Sequence, residues 1–152
     1  MTLKKIIEEI STNRKKNFLS NLIFSNKNKI LKKFKDKKVL VIGAAGSIGS
    51  EFTSTILNYN IKELTIIDIN ENKMTDTIRD IRYKYPDLKT VINNYIVDFN
   101  NDKLLRKLTE TKFDYIFNFA AIKHVRSESN EINIQRMIIT NVLILKSIKK
   151  II

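Results

Sequence analysis

The chain has 152 residues, 43% hydrophobic and 29% charged, enough for one globular domain and too apolar for wholesale disorder. It has no cysteine and one histidine, His124, which excludes a disulfide scaffold, a cysteine-ligated zinc site and any multi-histidine metal site within one chain. The net charge of +12 is crowded into residues 1–38, where 12 Lys/Arg stand against Glu8, Glu9 and Asp36.

Residues 1–36 read as a basic amphipathic helical arm. Leu3, Ile6, Ile7 and Ile10 fall on one helical stripe. Phe18, Leu19, Leu22 and Ile23 repeat it after a break at Ser11–Asn13. Such an arm could meet nucleic acid or an anionic membrane surface. No zinc-finger, RNA-recognition or helix-turn-helix signature accompanies it, and lysine, asparagine and isoleucine are abundant throughout, so nucleic acid is disfavoured as a partner. No run of 18 apolar residues marks a transmembrane segment, and Glu8 and Glu9 interrupt any signal-peptide pattern. The default expectation is a cytoplasmic location.

From Lys38 onward the pattern alternates. Strands are predicted at 38–43, 64–68, 91–98 and 115–120. Helices are predicted at 47–58, with Ile48, Phe52 and Ile56 on one stripe, at 72–83, with Met74, Ile78 and Ile81 inward, and at 101–109. A long apolar helix is predicted over 131–152. Near-continuous apolar strands separated by helices imply a parallel sheet covered on both faces. Right-handed crossovers then give an α/β, Rossmann-type doubly wound sheet of four strands in the order 3-2-1-4, an incomplete one, occupying residues 37–152.

All three glycines of the chain fall in one turn, Gly43-Ala44-Ala45-Gly46-Ser47-Ile48-Gly49, between the first strand and the first helix after it. Gly43 lets the chain turn off the strand, Gly46 lets a pyrophosphate approach bare backbone, and Gly49 lets the helix pack close. The first amides of that helix would point at the phosphates. Asp68, at the tip of the second strand, can accept hydrogen bonds from an adenosine ribose. The expected cofactor is therefore NAD or NADP. Asp68 favours NAD, and nearby Lys73 keeps NADP open. Asp98 is placed either to meet the adenine amino group or to cap the following helix.

The Gly-x-x-Gly-x-x-Gly spacing resembles the short-chain dehydrogenase/reductase superfamily. Asn118-Phe119-Ala120-Ala121-Ile122-Lys123-His124-Val125 looks like the Ala-Ala-x-Lys-His-Val signature of nucleotide-sugar 4,6-dehydratases of polysaccharide biosynthesis, the CapD-like group that includes UDP-N-acetylglucosamine 4,6-dehydratases. Thr140-Asn141-Val142, Asp68–Asn72 and Arg79–Arg82 match further stretches, so the resemblance covers most of residues 30–145. It implies that Gly43, Gly46, Ser47, Ile48 and Gly49, with Ala45 between them, hold the pyrophosphate. It also implies that Asp68 holds the ribose, Asp98 and Phe99 flank the adenine, and Ala120 and Ala121 leave room for the nicotinamide half. Lys123 would lie near the nicotinamide ribose or the substrate. His124 reads better as a hydrogen-bonded structural histidine, and Asn141 either as a functional residue or as one that satisfies backbone groups. The chain departs from the family where a proline often follows the Glu-x-Asn element; here Glu131 follows Asn130.

The same resemblance implies catalysis by a Tyr-x-x-x-Lys pair on a helix after the fourth strand. The chain's one such spacing, Tyr85–Lys89, contains Pro86 and precedes the third strand, so no catalytic residue is assigned. With the fourth strand an open edge and the last helix apolar around much of its girth, the expectation is a truncated enzyme, inactive alone, completed by a second half-domain or a homo-oligomer. Its substrate by resemblance is a UDP-N-acetylglucosamine-like nucleotide-sugar. The alternatives are a non-catalytic dinucleotide-binding module or sensor, and, behind it, a nucleic-acid or membrane-surface binder acting through the arm.

Overall fold

The computed structural model describes residues 18–122 and 130–151. Chain contacts divide it into two compact units, 1–33 and 34–152. The expected stripe at Leu3–Ile10, the break after it, and Lys123 and His124 lie outside the described residues.

Helix α1 spans Phe18–Phe34 with Lys32 and Lys33 in its last turn, where cations suit the carbonyl end of the helix. In the second unit, β1 (Lys38–Ile42) is followed by α2 (Ser47–Ile56), a 3-10 turn at Leu57–Tyr59, and β2 (Glu63–Asp68). Next come α3 (Glu71–Lys84), β3 (Val91–Ile96), α4 (Asp102–Thr109) and β4 (Tyr115–Asn118). The chain continues as α5 (Glu131–Ile138), a widened π turn at Ile139–Leu143, and α6 (Ile144–Lys149). The four strands form one parallel sheet in the order β3-β2-β1-β4, as the alternation predicts.

The two inner strands carry the core. β1 alternates: Val39 and Val41 pack with Leu64, Ile66, Met74 and Ile81 on one face. Leu40 and Ile42 pack with Ile67, Leu104, Leu108 and Ile144 on the other. Both faces are thus covered, by α2 and α3 on one side and by α4 and α6 on the other. β3 differs from its neighbours. As an edge strand with Asn93 and Asn94 at its centre, it is only half-buried, and Val91 and Ile96 are exposed.

Four expected boundaries shift for identifiable reasons. Helix α2 stops at Ile56, and a tighter turn leads to Asn60 in the left-handed region (φ 53°). β3 ends at Ile96; Val97 N–H still donates to Asp68 O, and the chain then turns at Asp98, whose Oδ1 accepts the Asn100 amide at 2.8 Å. β4 ends at Asn118, whose Oδ1 accepts the Ala120 amide at 3.1 Å in place of a ladder bond. The expected continuous helix over 131–152 is broken by the π turn. The predicted stripe on α2 is also rotated: Ile48 is 63% exposed, and the buried positions are Gly49, Thr53 and Ile56. Gly49 must face the turn at Gly43, and that contact sets the helix's rotation.

Candidate functional site

The site lies at the carboxyl ends of the strands, around the point where the chain runs from β1 to one side of the sheet and from β4 to the other. The glycine turn forms its centre. Gly43 has φ +72°, and a Cβ there would sit 2.5 Å from Ala120 N, so both conformation and close approach demand glycine. A Cβ on Gly49 would sit 2.0 Å from Gly43 O; the helix packs against the turn itself rather than on the sheet. At Gly46 a Cβ would find nothing closer than Gly43 O at 3.5 Å, so this direction is open. Gly46 is also the N-cap of α2, in extended backbone, and offers no side-chain acceptor to the first amides, those of Ser47, Ile48 and Gly49. A helix start with bare amides and an open approach suits a phosphate.

Asp68 ties this turn to the end of β2. Its Oδ2 accepts the Ala45 amide and its Oδ1 the Asn70 amide, each at 2.9 Å. Each oxygen keeps a further lone pair for a ligand hydroxyl. Asp98 accepts from Asn100 N–H at 2.8 Å and from Asn100 Nδ2 at 3.2 Å, both through Oδ1. It does not cap α4; Asn101 does, accepting from the Lys103 and Leu104 amides at 3.1 Å. Phe99 is 5% exposed and packs into the core beside Leu104 and Leu105 while still lining the cleft.

A single cleft of about 610 Å³ joins these groups. Of the residues singled out in the sequence, Gly43, Ala45, Gly46, Asp68, Asp98 and Phe99 line it, as do Ala120 and Ala121 at the exit of β4. Ser47, Ile48 and Gly49 form the first turn of α2 beside it and are not among its lining residues. The cleft also takes in residues the sequence did not single out for the site, notably Asn100, Gln135, Arg136 and Thr140. For the last three the signal was the helical spacing of 132, 135, 136, 139 and 140, hidden in a stretch whose apolar residues dominate the pattern.

Asn141 fixes the far side of the cleft. Its Nδ2 donates to Ile122 O at 2.8 Å and its Oδ1 accepts from Ile122 N at 2.9 Å, so the side chain replaces a strand partner for the β4 exit. Of the two roles open to Asn141 in the sequence, the backbone one is observed. Ser147 on α6 donates to Asn100 Oδ1 at 3.1 Å, joining α6 to the loop after β3. Among the described residues no cluster of carboxylate, thiol or imidazole groups could hold a metal ion, and no helix is long and apolar enough to cross a membrane.

Known proteins resemble this chain. An uncharacterized membrane protein of Methanocaldococcus jannaschii is 36% identical over 93 residues, covering 60% of this chain and 26% of the relative. A bifunctional UDP-glucose 4-epimerase and UDP-xylose 4-epimerase of Arabidopsis thaliana is 33% identical over 92 residues, covering 59% and 26%. The alignment thus spans about a quarter of the length of these curated relatives. Among solved structures, Pen from Bacillus thuringiensis superposes with a TM-score of 0.57 at 27% identity, over 78% of this chain and 34% of that one. An NAD+-bound xylitol dehydrogenase gives a TM-score of 0.64 at 20% identity, over 78% and 47%. A short-chain type dehydrogenase/reductase from Mycobacterium ulcerans gives 0.61 at 13%, over 78% and 44%. The last two share the fold. The sequence model of the polysaccharide biosynthesis protein family matches residues 39–151, from the first buried strand to the last helix, and the chain belongs to that family.

Proposed function

We propose that the cleft binds NAD(P) and that this chain is the dinucleotide-binding portion of an enzyme acting on a nucleotide-sugar in polysaccharide biosynthesis. The observation that carries the reading is the division of labour among the glycines. Gly43 and Gly49 are required by the backbone, whereas Gly46 leaves open the one approach that leads to uncapped helix amides. These amides suit a phosphate-bearing ligand, and the carboxylate of Asp68 beside them suits a ribose. Family membership supports a nucleotide-sugar as the second ligand, and the Arabidopsis relative is itself named for two UDP-sugars.

In this reading the turn Gly43–Gly49 takes the pyrophosphate, with Ala45 along the path and Ser47, Ile48 and Gly49 donating amides. Asp68 takes the adenosine ribose, and Asp98 and Phe99 flank the adenine. Ala120 and Ala121 give the nicotinamide half room at the β4 exit, and Lys123 follows them. NAD is favoured over NADP because a 2′-phosphate would meet the charge of Asp68. When bound, the dinucleotide supplies a two-electron acceptor for a sugar carbon. The finer assignment is a 4,6-dehydratase for UDP-N-acetylglucosamine, with the base and its lysine contributed outside residues 1–152, since Tyr85–Lys89 lies in the connection from α3 to β3 and away from the cleft. The domain division proposed is an arm at 1–36 and the nucleotide-binding domain at 37–152.

Calorimetric titration with NAD+ and NADP+ tests the proposal. The expected result is saturable binding, tighter for NAD+. A folded chain that binds neither would overturn it. Turnover of UDP-N-acetylglucosamine by the chain alone would overturn the assignment of the catalytic pair to another segment.

A further inference from the structure

The cleft has a wall that the glycine turn and the acidic residues do not explain. Ile132, Gln135, Arg136, Ile139 and Thr140 recur at i, i+3, i+4, i+7 and i+8, so one face of α5 and the turn after it addresses the cleft. An isolated helix face over water would be expected to be polar. This one instead exposes Ile132 (77%) and Ile139 (37%) on either side of a cation. Farther along, Ile144 and Ile148 anchor α6 in the core and Asn141 clamps the turn to Ile122, so the wall is held in place from behind. Arg136 has no ion-pair partner among the described residues. The carboxylates that line the same cleft are engaged by backbone amides, Asp68 by those of Ala45 and Asn70 and Asp98 by that of Asn100.

We infer that Arg136 is an anion-recognising residue of the cleft, reading a diphosphate from the α5 wall while the glycine turn holds the ligand from below. A guanidinium offers two parallel donors to a phosphate. The flanking isoleucines exclude water once a ligand is seated, which strengthens the attraction. Gln135 and Thr140 add neutral donors on the same face. The inference rests on the nucleotide-binding reading above and extends it to a helix that reading does not use. The diphosphate could come from the dinucleotide or from the nucleotide-sugar, and the test separates the two.

Wild type, Arg136→Gln and Arg136→Lys are titrated with NAD+ and, separately, with UDP, at low and at physiological salt, with thermal midpoints recorded without ligand. The expected result is that Arg136→Gln weakens binding about tenfold or more. The loss should shrink as salt rises. Arg136→Lys should recover part of it, and the midpoint without ligand should stay unchanged. Loss confined to NAD+ supports the inference and assigns the diphosphate to the dinucleotide; loss confined to UDP supports it and assigns it to the nucleotide-sugar. Wild-type affinity for both in the Arg136→Gln variant overturns the inference while leaving the dinucleotide reading intact. A wild type that binds neither nucleotide overturns both.

Discussion

The two ends of the sheet treat polar groups in opposite ways. At the amino ends of the strands they answer one another. Lys37 Nζ meets Asp114 Oδ1 at 2.7 Å, and the other oxygen of Asp114 accepts the Lys38 amide at 2.8 Å. Lys38 Nζ lies 3.3 Å from Glu63, and Asn93 donates to the same carboxylate at 2.9 Å. At the carboxyl ends the helix amides after Gly46 have no side-chain cap, and among the described residues Asp98 accepts through one oxygen only. Exposed Ile69 and Ile132 stand at the cleft rim. One end is closed by its own charges, and the other leaves donors, acceptors and apolar surface open in the cleft. The same strands thus carry closed polar pairings at one end and an open cleft at the other.

Substitutions in the glycine turn break this comparison most sharply. Gly49→Ala drives a Cβ into the carbonyl of Gly43 and should destabilise the fold by about 3 kcal/mol, read as a fall in the denaturant midpoint. Gly46→Ser, three residues away, should do the reverse. Its backbone already has the extended conformation of a helix N-cap (φ −69°, ψ 166°), and the new hydroxyl can accept from the first helix amides. Stability should rise by about 0.5 kcal/mol while NAD+ affinity falls about tenfold, because the side chain takes the donors that the proposed phosphate would use. A joint loss of stability and affinity at Gly46 would contradict the separation.

Asn141→Leu is the intermediate case, since it removes a structural pairing from the ligand end. The loss of both hydrogen bonds to Ile122 should cost about 1–2 kcal/mol and loosen the β4 exit, seen as faster hydrogen exchange at Ile122. Unchanged protection there would show that the exit holds without the clamp.

The smallest effect belongs to the closed end. The Lys37 ammonium and the Lys38 amide hold the Asp114 carboxyl below its ordinary value of 3.8. A carboxylate with a depressed folded-state pKa gives its full stabilisation above its unfolded value and loses it as pH falls through the folded one. Wild type and Asp114→Asn should therefore differ most near neutrality and converge as pH falls through the depressed folded-state value. Added salt should narrow the gap, because Lys37 is exposed. A gap that stays constant through acid would locate the effect of the substitution elsewhere.

Much of the inner sheet was legible because burial on two faces leaves a strong mark. Val39 to Ile42 and Leu64 to Ile67 are apolar almost without interruption, and only a central parallel strand tolerates that. The glycine turn was legible because the chain has no other glycine. The rotation of α2 was not, since apolar spacing pointed to Ile48 while a backbone contact at Gly49 decided the outcome. Asp98 shows the same limit: the capping role open to it in the sequence went to Asn101, and which of two neighbouring acceptors reaches the helix amides depends on loop geometry. The α5 wall was concealed because isoleucine looks alike whether it faces a core or a ligand.

The π turn at Ile139–Leu143 has a consequence for the length of the chain. Each residue advances a helix by about 100°, so the wider turn sets the angle between α5 before it and α6 after it. Downstream, Ile144 and Ile148 must point into the domain; upstream, Arg136 and Ile132 must look out over the strand tips. Deleting one residue here would wind the rod smoothly and force a choice, either swinging the anchors out of the interior or turning the arginine away to empty solvent. A single residue's worth of slack lets one rod serve both orientations.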